Sequence, residues 1–178
     1  MMILAVLLGV LGAAIAYVLV RAAMRPDAFK TERARTIAAS AAAIHAHLVD
    51  FHRWQAWSPW ERLDPAMTRT YTGPASGVGA GYAWRGNKKA GSGRMTIAVD
   101  EPTRVTITLE FTAPWKATNE TTFTLAPAGD GTLVTWTMTG RSSFGMKVFG
   151  VLVDLDKLVG KDFERGLAQL AERCAAQA

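Results

Sequence analysis

A chain of 178 residues is long enough for one domain with a core of its own. Its single cysteine, Cys174, excludes a framework of internal disulfides, and a lone thiol among apolar neighbours reads as a small core residue. The net charge of +5 is uneven: Arg21, Arg25, Lys30, Arg33 and Arg35 face only Asp27 and Glu32 between positions 21 and 35, the remainder is nearly balanced, and no basic stripe interleaved with aromatics marks a nucleic-acid footprint.

Residues 1–20 carry no charged side chain. Twenty apolar residues rising about 1.5 Å each cover roughly 30 Å, the thickness of a bilayer core. Ala14-Ile15-Ala16 mimics a signal-peptidase site, but no basic region precedes the run and it stays apolar past that point. A retained transmembrane anchor over 1–20 is therefore preferred to a cleaved signal. Gly9/Ala13 and Gly12/Ala16 are small-xxx-small pairs that allow helix association, and hence a homodimer. No Lys or Arg precedes the span and five follow closely, so the positive-inside rule puts the domain in the cytoplasm. With only two flanks to compare, an extracytoplasmic side stays open.

Residues 21–29, with Arg25-Pro26-Asp27, read as a basic juxtamembrane linker, and residues 30–176 as one domain. A first strand is expected over 30–38. Ser40 can cap a helix over 41–49. A tryptophan-rich segment follows in which Trp54 and Trp57 lie one helical turn apart before Pro59. From position 67 the texture changes to alternation: strands are expected near 67–73, 78–86, 92–100, 103–113, 116–126 and 131–140. Val105, Ile107, Leu109 and Phe111 alternate with Thr106, Thr108, Glu110 and Thr112, as Val134, Trp136 and Met138 do with threonines. Period two with one apolar row means a sheet wet on one face. Gly73-Pro74, Gly86-Asn87, Glu101-Pro102, Pro114-Trp115 and Gly129-Asp130-Gly131 supply the turns of an antiparallel meander.

Residues 143–176 contain no proline, and Phe149, Leu152, Val159, Phe163, Leu167, Leu170 and Cys174 recur at helical spacing. One long amphipathic helix is expected, its apolar stripe laid against the sheet. Asp156 interrupts that stripe and should point inward, with Gly160 leaving room beside it.

The order strand, two short helices, six strands, long helix resembles the SRPBCC (START-like, birch-pollen-allergen-like) superfamily, in its polyketide cyclase/dehydrase and lipid-transport branch. The resemblance is carried by Ile37-Ala38-Ala39, Asp50-Phe51-His52-Arg53-Trp54-Gln55-Ala56-Trp57-Ser58-Pro59-Trp60, Gly77-Val78-Gly79-Ala80-Gly81-Tyr82-Ala83-Trp84, Gly93-Arg94-Met95-Thr96, and Asp154-Leu155-Asp156-Lys157-Leu158-Val159-Gly160 with Asp162-Phe163-Glu164. It covers about residues 30–174. It implies an α+β helix-grip fold, a curved antiparallel sheet of about seven strands around a long C-terminal helix, whose cavity binds a hydrophobic small molecule or lipid.

Candidate cavity residues are Trp57, Tyr82, Trp84, Asn119, Trp136 and Asp156. The aromatic rings would form walls, with core packing the plainer role for most of them. Asn119 shares a row with Ala117, Thr121 and Phe123, so its amide should face the helix and orient a polar ligand group, or satisfy neighbouring backbone. Asp156 is a polar anchor, or a structural hydrogen-bond partner. Trp115, on a hairpin tip, is a candidate lip at the cavity mouth. His45 and His47 do not share a helix face, and no cysteine or carboxylate cluster completes a metal site. Ser58 lacks the Gly-x-Ser-x-Gly setting of a nucleophile. The glycines of 77–81 lack phosphate-loop spacing. No cofactor is expected. A cyclase or dehydratase using Asp156 as base and Asn119 to hold an enolate is the alternative, and a protein-interaction module a third.

Overall fold

The computed structural model describes residues 2–176; Met1, the first residue of the expected anchor, lies outside them. An N-terminal helix, α1 (Met2–Ala23), is followed by β1 (Ala28–Ile37), α2 (Ala41–Leu48) and α3 (Phe51–Trp54). A single 3-10 turn, Pro59–Arg62, leads to β2 (Thr68–Thr72), β3 (Gly81–Arg85), β4 (Ser92–Glu101), β5 (Arg104–Ala113), β6 (Ala117–Ala128) and β7 (Gly131–Arg141). The chain closes with α4 (Phe144–Leu152) and α5 (Leu155–Ala175). The strands form one antiparallel sheet in the order β1-β7-β6-β5-β4-β3-β2, so the meander read from the turns is borne out and β1 closes onto the last strand.

Local chemistry explains the boundaries. Ser40 Oγ accepts from the amide of Ala43 and Asp50 Oδ1 from that of His52, which starts α2 and α3. The sheet buries the row expected of it: Val105, Ile107, Phe123, Val134 and Trp136 are all 1% exposed or less. A bulge between Ile97 and Val99 leaves Ala98 out of the ladder with β5 and bends β4.

The expected single C-terminal helix is two helices. Val153 adopts an extended backbone at φ −129°, ψ 132°, and Asp154 Oδ1 accepts from the amide of Lys157 as the cap of α5. The break resets the phase of the stripe. From Val159 onward the pattern holds, with Phe163, Leu167, Leu170 and Cys174 buried against the sheet. Before the break it does not: Phe149 and Leu152 belong to α4, which packs on α1 and leaves both exposed. Asp156, read as inward, is exposed in the first turn of α5.

α1 is long and apolar enough to cross a membrane, with a mean hydropathy of 2.8 over its best window, none of which is buried against the rest of the chain. Only at its end does it meet the domain, where Ala22 is fully covered.

Candidate functional site

The space between sheet and α5 is filled at one end and hollow at the other. At the filled end α2 packs on β6 and α5. Trp54 and Trp57 pack at a tilt of 51° with ring centroids 4.8 Å apart and meet Phe123 edge-on. At the other end a cavity of about 260 Å³ lies between the 3-10 turn, the ends of β3–β5 and the first half of α5, just below the roughly 300 Å³ at which small-molecule sites begin.

Its walls are aromatic and aliphatic: Trp60, Trp84, Met95, Leu109, Phe111 and Met138 among them. Trp136 and Phe163 form the inner wall, their rings stacked at 4.2 Å and 5°. Gly166 makes that contact possible, because a Cβ there would lie 2.7 Å from the Trp136 ring and 3.2 Å from Pro59.

One polar cluster interrupts the apolar wall. Glu61, 8% exposed, accepts from the Tyr82 hydroxyl at 2.6 Å through Oε1 and from Arg69 Nε at 2.7 Å through Oε2. Arg69 Nη2 also donates to the Glu61 carbonyl at 3.1 Å. A buried carboxylate needs such partners. Burial, reinforced by the bond to Glu61, pushes the Tyr82 phenol well above its usual value, so it stays protonated and keeps donating. The indole N–H of Trp136 is buried within the inner wall and meets no acceptor among the described residues. Lys89 and Asp162 stand at the margin of the cavity.

Of the six residues expected here, the structure brings three together: Tyr82, Trp84 and Trp136 line the cavity. Trp57 is 1% exposed and belongs to the filled end. Asn119 does face inward, at 7% exposed, but lies away from the cavity lining. Its short side chain occupies the space beside Gly140, with Nδ2 3.9 Å from Met138 Sδ. Asp156 is outside altogether. Arg33 of β1 donates through Nη2 to Asp156 Oδ2 at 3.0 Å and through Nε to Glu164 at 2.9 Å. The room left by Gly160 is taken by that same guanidinium, which a Cβ at 160 would strike. Asp156 thus ties α5 to β1.

Glu61 and Arg69 were missed because neither lies on a periodic apolar row. Leu109, Phe111, Met138 and Phe163 could have been found, since each sits on a row already read as inward. Among the described residues no group of three or more His, Cys, Asp or Glu could hold a metal ion.

The family model described as polyketide cyclase / dehydrase and lipid transport matches residues 28–175. The sequence matches no curated protein. Among solved structures, the chain is similar to Mll3558 from Rhizobium loti (22% identity, TM-score 0.60, covering 82% of this chain and 96% of that one). It is also similar to TTHA0849 from Thermus thermophilus (18%, TM-score 0.59, covering 84% and 99%) and to the Aha1 dimer from Colwellia psychrerythraea (18%, TM-score 0.59, covering 82% and 96%). At these identities the likeness is one of fold.

Proposed function

Because the chain belongs to the polyketide cyclase/dehydrase and lipid-transport family, we propose that residues 30–176 bind a hydrophobic small molecule or lipid in the cavity described above, held at a membrane by α1 and without catalysis. The observation that carries this reading is the wall itself: side chains such as Trp84, Met95, Leu109, Phe111 and Met138 surround a single paired cluster, Glu61–Tyr82–Arg69. Apolar walls supply affinity by burying apolar surface, and a few fixed polar groups supply orientation. Glu61 and Tyr82 keep lone pairs for a ligand hydroxyl or amide. The ligand class is therefore an apolar body with one hydrogen-bonding end. The basic flank of α1 favours the cytoplasmic side.

The test is titration of full-length protein in nanodiscs with a polarity-sensitive apolar dye, read by dye emission and by quenching of tryptophan. Saturable binding, abolished by Leu109→Trp while the fold is retained, is expected. Equal dye binding by both proteins would remove the cavity from the proposal.

A second reading, a cyclase or dehydratase, is favoured by one observation: a carboxylate and a protonated phenol face the same apolar space. Glu61 and Tyr82 then replace Asp156 and Asn119 in the acid–base roles. Turnover of a carbonyl substrate that falls with both Glu61→Gln and Tyr82→Phe would support it.

A further inference from the structure

The cavity end of the domain is also the end that carries α1, and this follows from the strand register. Ala28 pairs with Arg141, Asn119 with Gly140, Ala117 with Phe111, Ala113 with Ser92, and Ser92 with Arg85. The start of β1, the end of β7, the β5–β6 loop and the β3–β4 loop therefore share one rim of the sheet. Only four residues separate α1 from β1, so the apolar helix leaves the domain at that rim. Cavity residues Trp84, Lys89, Ala90 and Phe111 lie on or next to it.

Three features of the rim suit a bilayer surface. First, α4 packs on the end of α1, with Gly150 backed onto the Arg25 guanidinium, and turns Phe144, Phe149 and Leu152 outward at 51, 46 and 72% exposed. That is an apolar face at the depth where the span meets water. Second, Trp115 sits on the β5–β6 loop, 69% exposed. It lies two to three strand spacings from β1, roughly 10–15 Å along the rim, and tryptophan favours the headgroup level. Third, Lys88, Lys89 and Lys116 flank these apolar groups and are exposed, and none of them enters an ion pair among the described residues. Of the acidic groups nearby, Asp27 is paired with Lys147 and Arg141 and Asp162 with Arg165, which leaves Asp64, held by the amides of Asn87 and Ala66, against three lysines. The rim is thus net positive as well as apolar, complementary to anionic headgroups.

We infer that the domain lies with this rim on an anionic lipid surface, α4 and Trp115 inserted at the headgroup level, so that the cavity opens at the bilayer and exchanges its ligand with the lipid phase. The inference rests on the reading of α1 as a span, and it goes beyond that reading because a span alone does not fix which face of the domain meets the lipid.

The test uses full-length protein carrying Cys174→Ser, reconstituted at one copy per nanodisc, with an environment-sensitive dye on one introduced cysteine at a time. The positions are Val10→Cys in α1, Trp115→Cys and Leu152→Cys on the rim, and Asp130→Cys on the hairpin at the opposite end of the sheet. In discs doped with nitroxide lipid and anionic lipid, the dyes at 10, 115 and 152 should each lose about half of their emission, and the dye at 130 almost none. Replacing the anionic lipid by zwitterionic lipid should weaken quenching at 115 and leave position 10 unchanged. If 10 is quenched while 115 and 152 behave like 130, the span reading stands and the docking inference falls. If 10 is not quenched, both fall. If 115 and 152 become shielded only in discs holding two copies, the face is a contact between chains, and the inference is overturned in favour of a dimer.

Discussion

The two ends of the space under the sheet are built from the same kinds of side chain and do opposite things. At the filled end, α2 presses Ile44 and Leu48 into the core while α5 supplies Leu167, Leu170 and Cys174, and every one of them is 5% exposed or less. At the cavity end the 3-10 turn and the first half of α5 face β3–β5 across the cavity, and the turn props Trp60 and Glu61 over the sheet. The difference teaches where this fold puts its stability and where it leaves room. Close packing at one end lets the other stay hollow, because a domain needs only one continuous core.

That comparison is broken or sharpened first by truncation. Phe163 stands at the boundary, stacked on Trp136 and facing the cavity, and Phe163→Ala should destabilise by roughly 3–5 kcal/mol in urea unfolding. At the filled end Leu170→Ala should cost about 2–5 kcal/mol, whereas Leu109→Ala, on the cavity wall, should cost nearer 1 kcal/mol because its neighbours already lack contacts on one side. Equal costs for the two leucines would mean that the cavity is closed in solution.

The opposite change comes next in size. Gly166→Ala would push a methyl against the Trp136 ring and Pro59, both rigid, and should cost about 1–3 kcal/mol by overpacking. It should also shift Trp136 and so change dye affinity in the cavity. A stable Gly166→Ala protein with unchanged tryptophan emission would show that α5 can slide.

The sheet was legible from sequence because alternation reports a face directly: the expected strands match the observed ones to within a few residues, and the rows of β5 and β7 are buried as read. The helical stripe was legible only as far as its period was continuous. Val153 and Asp154 break it without glycine or proline, and the only signal was that Asp154 can cap, which aspartate does in many places that are not helix starts. Reading through the break assigned Asp156 to the interior, while its actual partner, Arg33, lies 123 residues away on β1. Glu61 was illegible for the same reason. Its two partners come from β2 and β3, and a pairing set by tertiary contact leaves no mark on local spacing.

Tyr82→Phe tests the polar cluster on its own. It removes the bond to Glu61 Oε1 but leaves Arg69 in place, so the carboxylate keeps one strong partner and the loss should be about 1–2 kcal/mol. Dye binding should persist while any selectivity for hydroxylated ligands falls. A loss of all binding would instead mean that the hydroxyl itself, or the Glu61 position it fixes, holds the ligand.

The smallest effect is expected at the rim, and it separates the two ends by pH. Asp27 Oδ1 accepts from Lys147 Nζ at 2.9 Å and Oδ2 from Arg141 Nη2 at 3.1 Å, while its carbonyl accepts from the amide of Ser142 at 2.7 Å. This ionic clamp joins the start of β1, β7 and α4, whereas the filled end is held by packing and by hydrogen bonds such as that from Thr132 Oγ1 to the Ala39 carbonyl at 2.8 Å. The Lys147 hydrogen bond, followed by that of Arg141, holds the Asp27 carboxyl below its ordinary value. A carboxyl lowered in the folded state contributes stability that is present above its unfolded value and is lost as the pH falls through the folded one. The side chain is half exposed, so water screens the pairs and the loss is small. Acid should therefore loosen the rim before the core. Amide exchange corrected for its intrinsic rate should quicken at Ser142 and in α4 at acid pH while β6 stays protected. Asp27→Asn should show that same pattern already at neutral pH. If β6 and α4 open together at every pH in both proteins, the clamp does nothing of its own and the two ends form one cooperative unit.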